Sequence, residues 1–388
     1  MKNNSEVVVI GCGIIGAAIA CFLSSRGREV LLLEKKAPAS GSSGACDGTV
    51  FLQSKPPGPK LEMALKSAVL YGELSKSLKY PLGYRKQGGM VLIETEEEFN
   101  AMAEIVRRQQ AAGARVSLIS GQEARRLQKG LSSRVAAASW CPDDGQVDPV
   151  RTTLAFLNTA VDHGCEFAKG AEATGIILKG GAVAGVRTSH GDVCAKYAVN
   201  AAGVWAPEIS RMVGLDTPVV PRKGELVVSE QVEPFLSGVF LDARYIAVKN
   251  LPGFVREPRR DAPEKGVGLV LEQTAEGNLL IGSSREFAGF DRNATREAVS
   301  AILRRAVHFF PGLKSLSMIR SFAGLRPFTP DGLPYIGASE KVRGFVLAAG
   351  HEGDGIALAP ETARRITEVI VSGMSQGLEE YSPDRLTP

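Results

Sequence analysis

The sequence predicts an α/β fold, α+β overall, in which a parallel sheet is joined to a second, mostly antiparallel sheet. Three observations carry this expectation. A continuous β-branched run at 6–10 leads through GCGIIG into a helical pattern and a second apolar run at 30–33. Alternating runs crowd the stretch between Arg222 and Leu280. A further continuous apolar run at 345–349 again precedes a glycine-rich loop and a helical pattern, so the end of the chain is like its beginning in kind.

The first run has the character of a strand buried on both faces, as parallel sheets require. From Ile14 to Arg26, residues Ile15, Ala18, Ile19, Phe22 and Leu23 recur at helical spacing, and Gly27 suits a left-handed cap. The run at Val30 to Leu33 is then a second strand, which a right-handed crossover sets parallel to the first. Ser and Gly at 39–48 and the prolines at 55–59 mark loops, and a long helical pattern follows at 60–79. A strand is expected at 88–93, an amphipathic helix at 96–112 and a short helix at 121–128 begun near Ser120. Asp148 and Pro149 open a helix that runs to His163, and an apolar strand at 197–202 closes at Gly203. Period-two alternation at 225–228, 245–248, 268–272 and 279–282 predicts strands of a largely antiparallel sheet. A final helix is expected from Ile356 to Ser372.

Composition narrows the function classes. At 388 residues and 44% hydrophobic content the chain can bury cores for two domains of ordinary size. Lys and Arg number 46 against 42 acids, and the surplus is spread without a basic block, which argues against a nucleic-acid partner. The six cysteines form no CxxC pair and no metal-ligand spacing with the four histidines, so reduced thiols in a cytoplasmic protein are expected, with no metal. The N-terminus enters its first strand without a leader pattern, and no run reaches the roughly eighteen apolar residues of a membrane span.

Chemistry concentrates in a few segments. Gly11, Gly13 and Gly16 form GxGxxG between strand and helix, with Ile14 and Ile15 inside the motif. The glycines permit a tight turn, backbone approach to a pyrophosphate and close helix packing, while the helix N-terminus offers free N–H groups. Glu34, ending the second strand, can accept from an adenosine ribose. This unit predicts a dinucleotide without separating FAD from NAD. Gly350, His351, Gly353 and Gly355 crowd a loop before a helix, which allows a flat ring to come close. His351 is the histidine in such a setting, since His163, His190 and His308 lie in helical or loop patterns without evident partners. Arg326 has the planar fork that grips a carboxylate, although a structural arginine paired with Asp331 is the alternative. Tyr245, with its phenol donor, and Ser283 with Ser284 are weaker pocket candidates.

Four segments together separate the cofactors. VVVIGCGIIGAAIA at the start, AAGVWAPEI at 201–209, GLRPFTPDGLPYIG at 324–337 and AAGHEGDGIALAP at 348–360 resemble the D-amino-acid oxidase and glycine oxidase superfamily of FAD-dependent oxidoreductases. They stand in that superfamily's order over nearly the whole chain. The resemblance implies a discontinuous Rossmann-type FAD-binding domain at 1–80, 145–220 and 320–388, interleaved with a substrate domain at 81–144 and 221–319. It implies cofactor contacts from Lys35, Ser42 and Ser43, from Ala201, Ala202, Gly203 and Trp205, and from 350–356, Glu352, Asp354 and Ile356 included. The final loop lacks the Cys that carries covalent flavin in related sarcosine oxidases, so FAD is expected to be non-covalent.

By the same resemblance, Arg326 holds the carboxylate of an amino or imino acid whose Cα–H faces flavin N5, with His351 and Tyr245 as further catalytic candidates. The segments GACDG at 44–48 and HEGDGI at 351–356 are similar to catalytic subunits of multi-subunit hydroxyproline, proline and opine dehydrogenases and of hydrogen cyanide synthase. That implies a second subunit carrying further redox centres, because this chain has no cysteine cluster for one. A self-contained oxidase releasing peroxide and a flavin-holding assembly subunit without chemistry are the alternatives.

Overall fold

The computed structural model describes residues 1–250 and 266–385. Alternation along the first strand sets the layers. Val7–Ile10 lies inside a six-stranded sheet ordered Tyr335–Ala338, Phe345–Ala349, Tyr197–Asn200, Val7–Ile10, Val30–Glu34, Glu166–Lys169. Every pairing is parallel except that of the first two strands. Val7 and Val9 pack with Ile15, Ala18 and Ile19 of helix Ile14–Ser24, Phe156 of helix Pro149–Asp162 and Ile366 of helix Gly355–Ser372. Val8 and Ile10, pointing the other way, pack with Val183, Val186 and Val193. Those valines belong to a three-stranded antiparallel meander, Ala173–Lys179, Ala182–Thr188 and Gly191–Cys194. The meander was not foreseen, yet a signal exists: Gly180 and Gly181, at φ +58° and +73°, make the two-residue turn between its first strands.

The second sheet has eight strands, ordered Met318–Phe328, Val220–Gln231, Asn278–Gly282, Val270–Gln273, Val239–Asp242, Gly89–Ile93, Ala137–Cys141, Ser117–Ser120. It is antiparallel apart from the pairing of Val239–Asp242 with Gly89–Ile93, in keeping with the period-two pattern. Helix Arg296–Phe309 packs Ile302, Ala306 and Phe309 against this sheet. The expected domain boundary at 319/320 falls inside strand Met318–Phe328, and the expected ranges include 251–265 and 386–388, which lie outside the described residues.

Tyr245 corrects the sequence reading: it lies on helix Ala243–Asn250, not on a strand. Asp242 is the cause. Its Oδ1 accepts from the Tyr245 N–H at 2.8 Å, capping the first turn, while Oδ2 accepts from Leu269 N–H at 2.8 Å and Arg305 Nε at 2.9 Å. A short alternating run cannot hold out as a strand against a cap that ends one. His308 is also corrected, since its Nε2 meets the Glu94 carboxylate. The strand expected at 197–202 ends at Asn200, whose Nδ2 donates to Ala206 O at 2.9 Å and turns the chain away. All six cysteines are unbridged, and no helix among the described residues is long and apolar enough to cross a membrane.

Candidate functional site

Between the sheets lies a cavity of about 310 Å³ whose wall includes Gly11, Gly13, Ile14, Ile15, Glu34, Lys35, Ser42, Ser43 and 201–203. Its floor is the start of helix Ile14–Ser24. Gly13 at the N-cap gives no side-chain cap, and the first turn holds no acid. Ser43 Oγ accepts from Ile14 N–H at 2.9 Å, and the remaining first-turn dipoles face whatever fills the cavity. Gly16 stands behind the wall for a steric reason: a Cβ there would lie 1.9 Å from Gly11 O, so only glycine lets the helix approach the strand. Gly11, at φ +103°, has Ala201 O at 2.8 Å from its own Cβ position. Glu34 is fixed at the rim, accepting from Cys12 N–H at 3.0 Å and Lys36 N–H at 2.8 Å. Trp205 caps the rim, with Lys35 Nζ 5.3 Å from its ring centroid and Phe290 stacked at 6.1 Å.

Glycine-lined backbone, an uncapped helix start and an oriented carboxylate fit a dinucleotide's pyrophosphate and ribose. The opposite wall, with Ala348, Gly350, His351, Glu352, Gly353, Gly355 and Ile356, is long enough to take a flat ring beyond them. Ser42 ties the two walls together by donating to Leu325 O.

Asp354 departs from the expected role. Its carboxylate is not on the cavity wall but buried between Lys55 Nζ at 2.9 Å and Lys60 Nζ at 2.5 Å. Lys55 also donates to Phe51 O at 2.8 Å, and Lys60 to Gly332 O at 2.9 Å. These buried lysines, which no motif in the sequence announced, hold the glycine loop and leave a net positive charge beneath it.

His351 has its own surprise. The ring is 2% exposed, and Nε2 lies 3.0 Å from Thr362 Oγ1. The same hydroxyl lies 3.0 Å from Leu358 O, so ring and helix are joined through Thr362. Burial, with Lys60 nearby, pushes the ring's pKa down to about 3. A neutral ring buttoned to its own helix supports the loop. Glu352, a non-glycine residue at φ +54°, is held in that conformation with its carboxylate on Arg222.

Arg326 reaches the cavity wall, and its expected alternative fails: Asp331 pairs with Arg385 at 2.8 Å. The Arg326 guanidinium instead meets neutral oxygens, Ser284 O at 3.0 Å and Ser283 Oγ at 3.1 Å. It lies over Gly224, where a Cβ would come 2.0 Å from Nη1. Tyr245 is not on the wall but close behind, with the Arg285 guanidinium carbon 3.5 Å from its ring centroid. Burial raises the phenol, yet Arg285, Arg326 and a hydrogen bond with Ser283 bring it below its ordinary value. Arg222 and Arg285 escaped the sequence reading, since each is an ordinary strand-end arginine until the sheet brings it beside Arg326.

Fold and site together define a dinucleotide-binding protein with a parallel-sheet cofactor half. The chain matches the DAO family of FAD dependent oxidoreductases over residues 6–369 and belongs to it. It is 29% identical to glycine oxidase of Geobacillus kaustophilus over 384 residues, covering 95% of this chain and 94% of that one. It is also 29% identical to hydrogen cyanide synthase subunit HcnC of Pseudomonas aeruginosa, covering 92% and 90%. Among solved structures, L-proline dehydrogenase from P. horikoshii superposes with a TM-score of 0.88 at 28% identity, covering 99% of this chain and 98% of that one. The protein is therefore an FAD-dependent oxidoreductase.

Two outcomes are expected. Gly16→Ala should purify with most of its flavin absorbance lost, because the added methyl forces the helix off the first strand; full occupancy would show that this packing does not build the site. His351→Gln should keep the wild-type pH dependence of kcat/KM between pH 5 and 8. The unfolded ring protonates near pH 6.5 but the buried one only near 3, so this group's stabilisation is lost as pH falls through that window. Urea unfolding at pH 7 and pH 5 should show the wild type losing about 2 kcal/mol more than the variant. Disappearance of a kinetic limb in the variant would make His351 a reacting group after all.

Proposed function

We propose that this protein oxidises the C–N bond of an amino or imino acid, of proline-like, hydroxyproline-like, opine-like or glycine-like type. The carrying observation is Arg326: a guanidinium at the cavity wall bound, among the described residues, only to neutral oxygens, with its expected carboxylate partner engaged elsewhere. A substrate carboxylate completes its fork through two parallel hydrogen bonds, fixing both position and orientation. Tyr245, close behind the wall, is hydrogen-bonded to Ser283, whose Oγ accepts from Arg326, and so backs the guanidinium.

The Gly11–Gly16 turn, Glu34, Ser43 and the loop at 350–356 would hold FAD, which when bound would supply the acceptor for the hydride of the substrate's Cα–H, the product being an imino acid. The protein's part is orientation and exclusion of water. The net positive charge of Lys55, Lys60 and Asp354 beneath the loop favours negative charge near it. Attachment is non-covalent in this reading: the cavity's thiol, Cys46, is pushed well above its ordinary value by burial first and then by Asp47 and Glu272, which makes it a poor nucleophile. Six unbridged thiols suit a reducing, cytoplasmic setting.

The likeness to HcnC, named as a subunit, supports a catalytic subunit that passes electrons to a partner carrying further redox centres. Rapid peroxide production by the isolated chain would instead favour a self-contained oxidase. Arg326→Leu should raise KM roughly 10- to 150-fold, from the loss of a charged hydrogen-bonding pair, with flavin content unchanged. An unchanged KM would end the assignment. If no amino, imino or N-alkyl acid bleaches the wild-type flavin under anaerobic conditions, a non-catalytic flavin-holding subunit becomes the better reading.

A further inference from the structure

Cationic groups gather beside the substrate arginine beyond what a single carboxylate needs. Arg222 and Arg326 are directly opposed across the antiparallel pair Val220–Gln231 and Met318–Phe328, so their side chains leave the same face of the sheet. Like charges so placed oppose folding, and a protein retains them where something offsets the repulsion. For Arg222 the offset is visible, since Glu352 takes its guanidinium and Phe328 lies 4.8 Å from the guanidinium carbon.

Arg285 has no such answer. It follows Ser284, whose carbonyl Arg326 holds, and its guanidinium lies flat on the Tyr245 ring. No ion-pair partner for it is found among the described residues, and its Nε is a buried donor without an acceptor. Burial, and then the neighbouring Arg326, hold this guanidinium below its ordinary pKa despite the nearby phenol. Asp354, the acid whose charge Arg285 feels, is already engaged by Lys55 and Lys60. Two guanidinium forks, Arg326 on the cavity wall and Arg285 beside it on the Tyr245 ring, thus lack an acidic partner from the described residues. Tyr245 and the Ser283–Ser284 turn lie between them.

We propose that the substrate carries two carboxylates: Arg326 takes the one on the carbon that is oxidised, and Arg285, backed by the Tyr245 ring, takes the second. This deepens the amino-acid reading above and rests on it. The chemistry admits two sources of the second carboxylate, an N-carboxyalkyl substituent or an acidic side chain. Both place the groups a few bonds apart on opposite sides of the reacting nitrogen or carbon. Arg285 is then the residue that sets specificity, by leaving a buried donor unpaired when a monocarboxylate binds.

The test separates binding from turnover. Glutarate and acetate, neither of which can be oxidised at a C–N bond, are titrated into the FAD-loaded protein while the flavin absorbance is followed. Glutarate should bind roughly 10- to 100-fold more tightly than acetate. Arg285→Leu should abolish that preference and leave acetate binding as it was, while Arg285→Lys, which keeps the charge without the fork, should retain part of it with normal flavin content. Equal binding of the two acids by the wild type, or a preference that survives in Arg285→Leu, would overturn the inference. In turnover, bleaching by iminodiacetate but not glutamate assigns the second carboxylate to the nitrogen substituent, and the reverse assigns it to the side chain. A glutarate preference lost in Arg285→Leu, in a protein that no amine bleaches, would keep the two-carboxylate site and discard the oxidation chemistry.

Discussion

The register between strands Val220–Gln231 and Met318–Phe328 is the constraint on which the site depends. Side-chain direction alternates along a strand, so a slip of one residue would send Arg326 to the opposite face and off the cavity wall. The observed register sets Arg222 against Arg326 and Gly224 against Gly324. Both glycines are spatially required. Gly224 gives the Arg326 guanidinium room to lie across the sheet, and Gly324 lets the strand approach Ala45, whose carbonyl oxygen would be 2.0 Å from a Cβ there. The same strand reaches the cofactor side through Leu325 O, which accepts from Ser42. One β pairing therefore couples the two sheets at the cavity.

Charge burial around that pairing follows a consistent pattern. Asp354 and Glu352 are neighbours in the glycine loop, and each is committed to cations from distant elements, Asp354 to Lys55 and Lys60, Glu352 to Arg222. A buried ion pair seldom adds much net stability, but removing one partner is costly, which gives the loop one conformation. Glu352 is held at positive φ and His351 is kept neutral within the same few residues. Local strain and desolvation are tolerated there because the surrounding contacts over-determine the loop. The result is a rigid wall with a positive underside.

The parts of this design legible in the sequence are local ones. The turn at Gly11–Gly16, its flanking strands and Glu34 lie within one short unit, and each residue's requirement is imposed by its immediate neighbours in the chain. The helices at 14–24, 96–111, 149–162 and 355–372 were equally legible from apolar spacing, and Asp148, read at the start of the third, accepts from the N–H three residues on as capping predicts. Tyr245 was placed in the right neighbourhood but on the wrong element, because the deciding contact was a carboxylate cap at Asp242 whose strength a four-residue alternation does not reveal. The Gly180–Gly181 hairpin was legible and overlooked.

By itself, then, the sequence determined the dinucleotide-binding turn with its flanking strands and the two kinds of sheet. Only the tertiary structure decided how His351 is buried, where Asp354 points and that Arg222, Arg285 and Arg326 share one place. The reason is physical. Backbone turns and amphipathic faces depend on residues a few positions apart, which a sequence displays directly. Charge environment depends on burial and on partners tens to hundreds of residues away, as with Lys60 and Asp354, and these exist only once the sheets have paired.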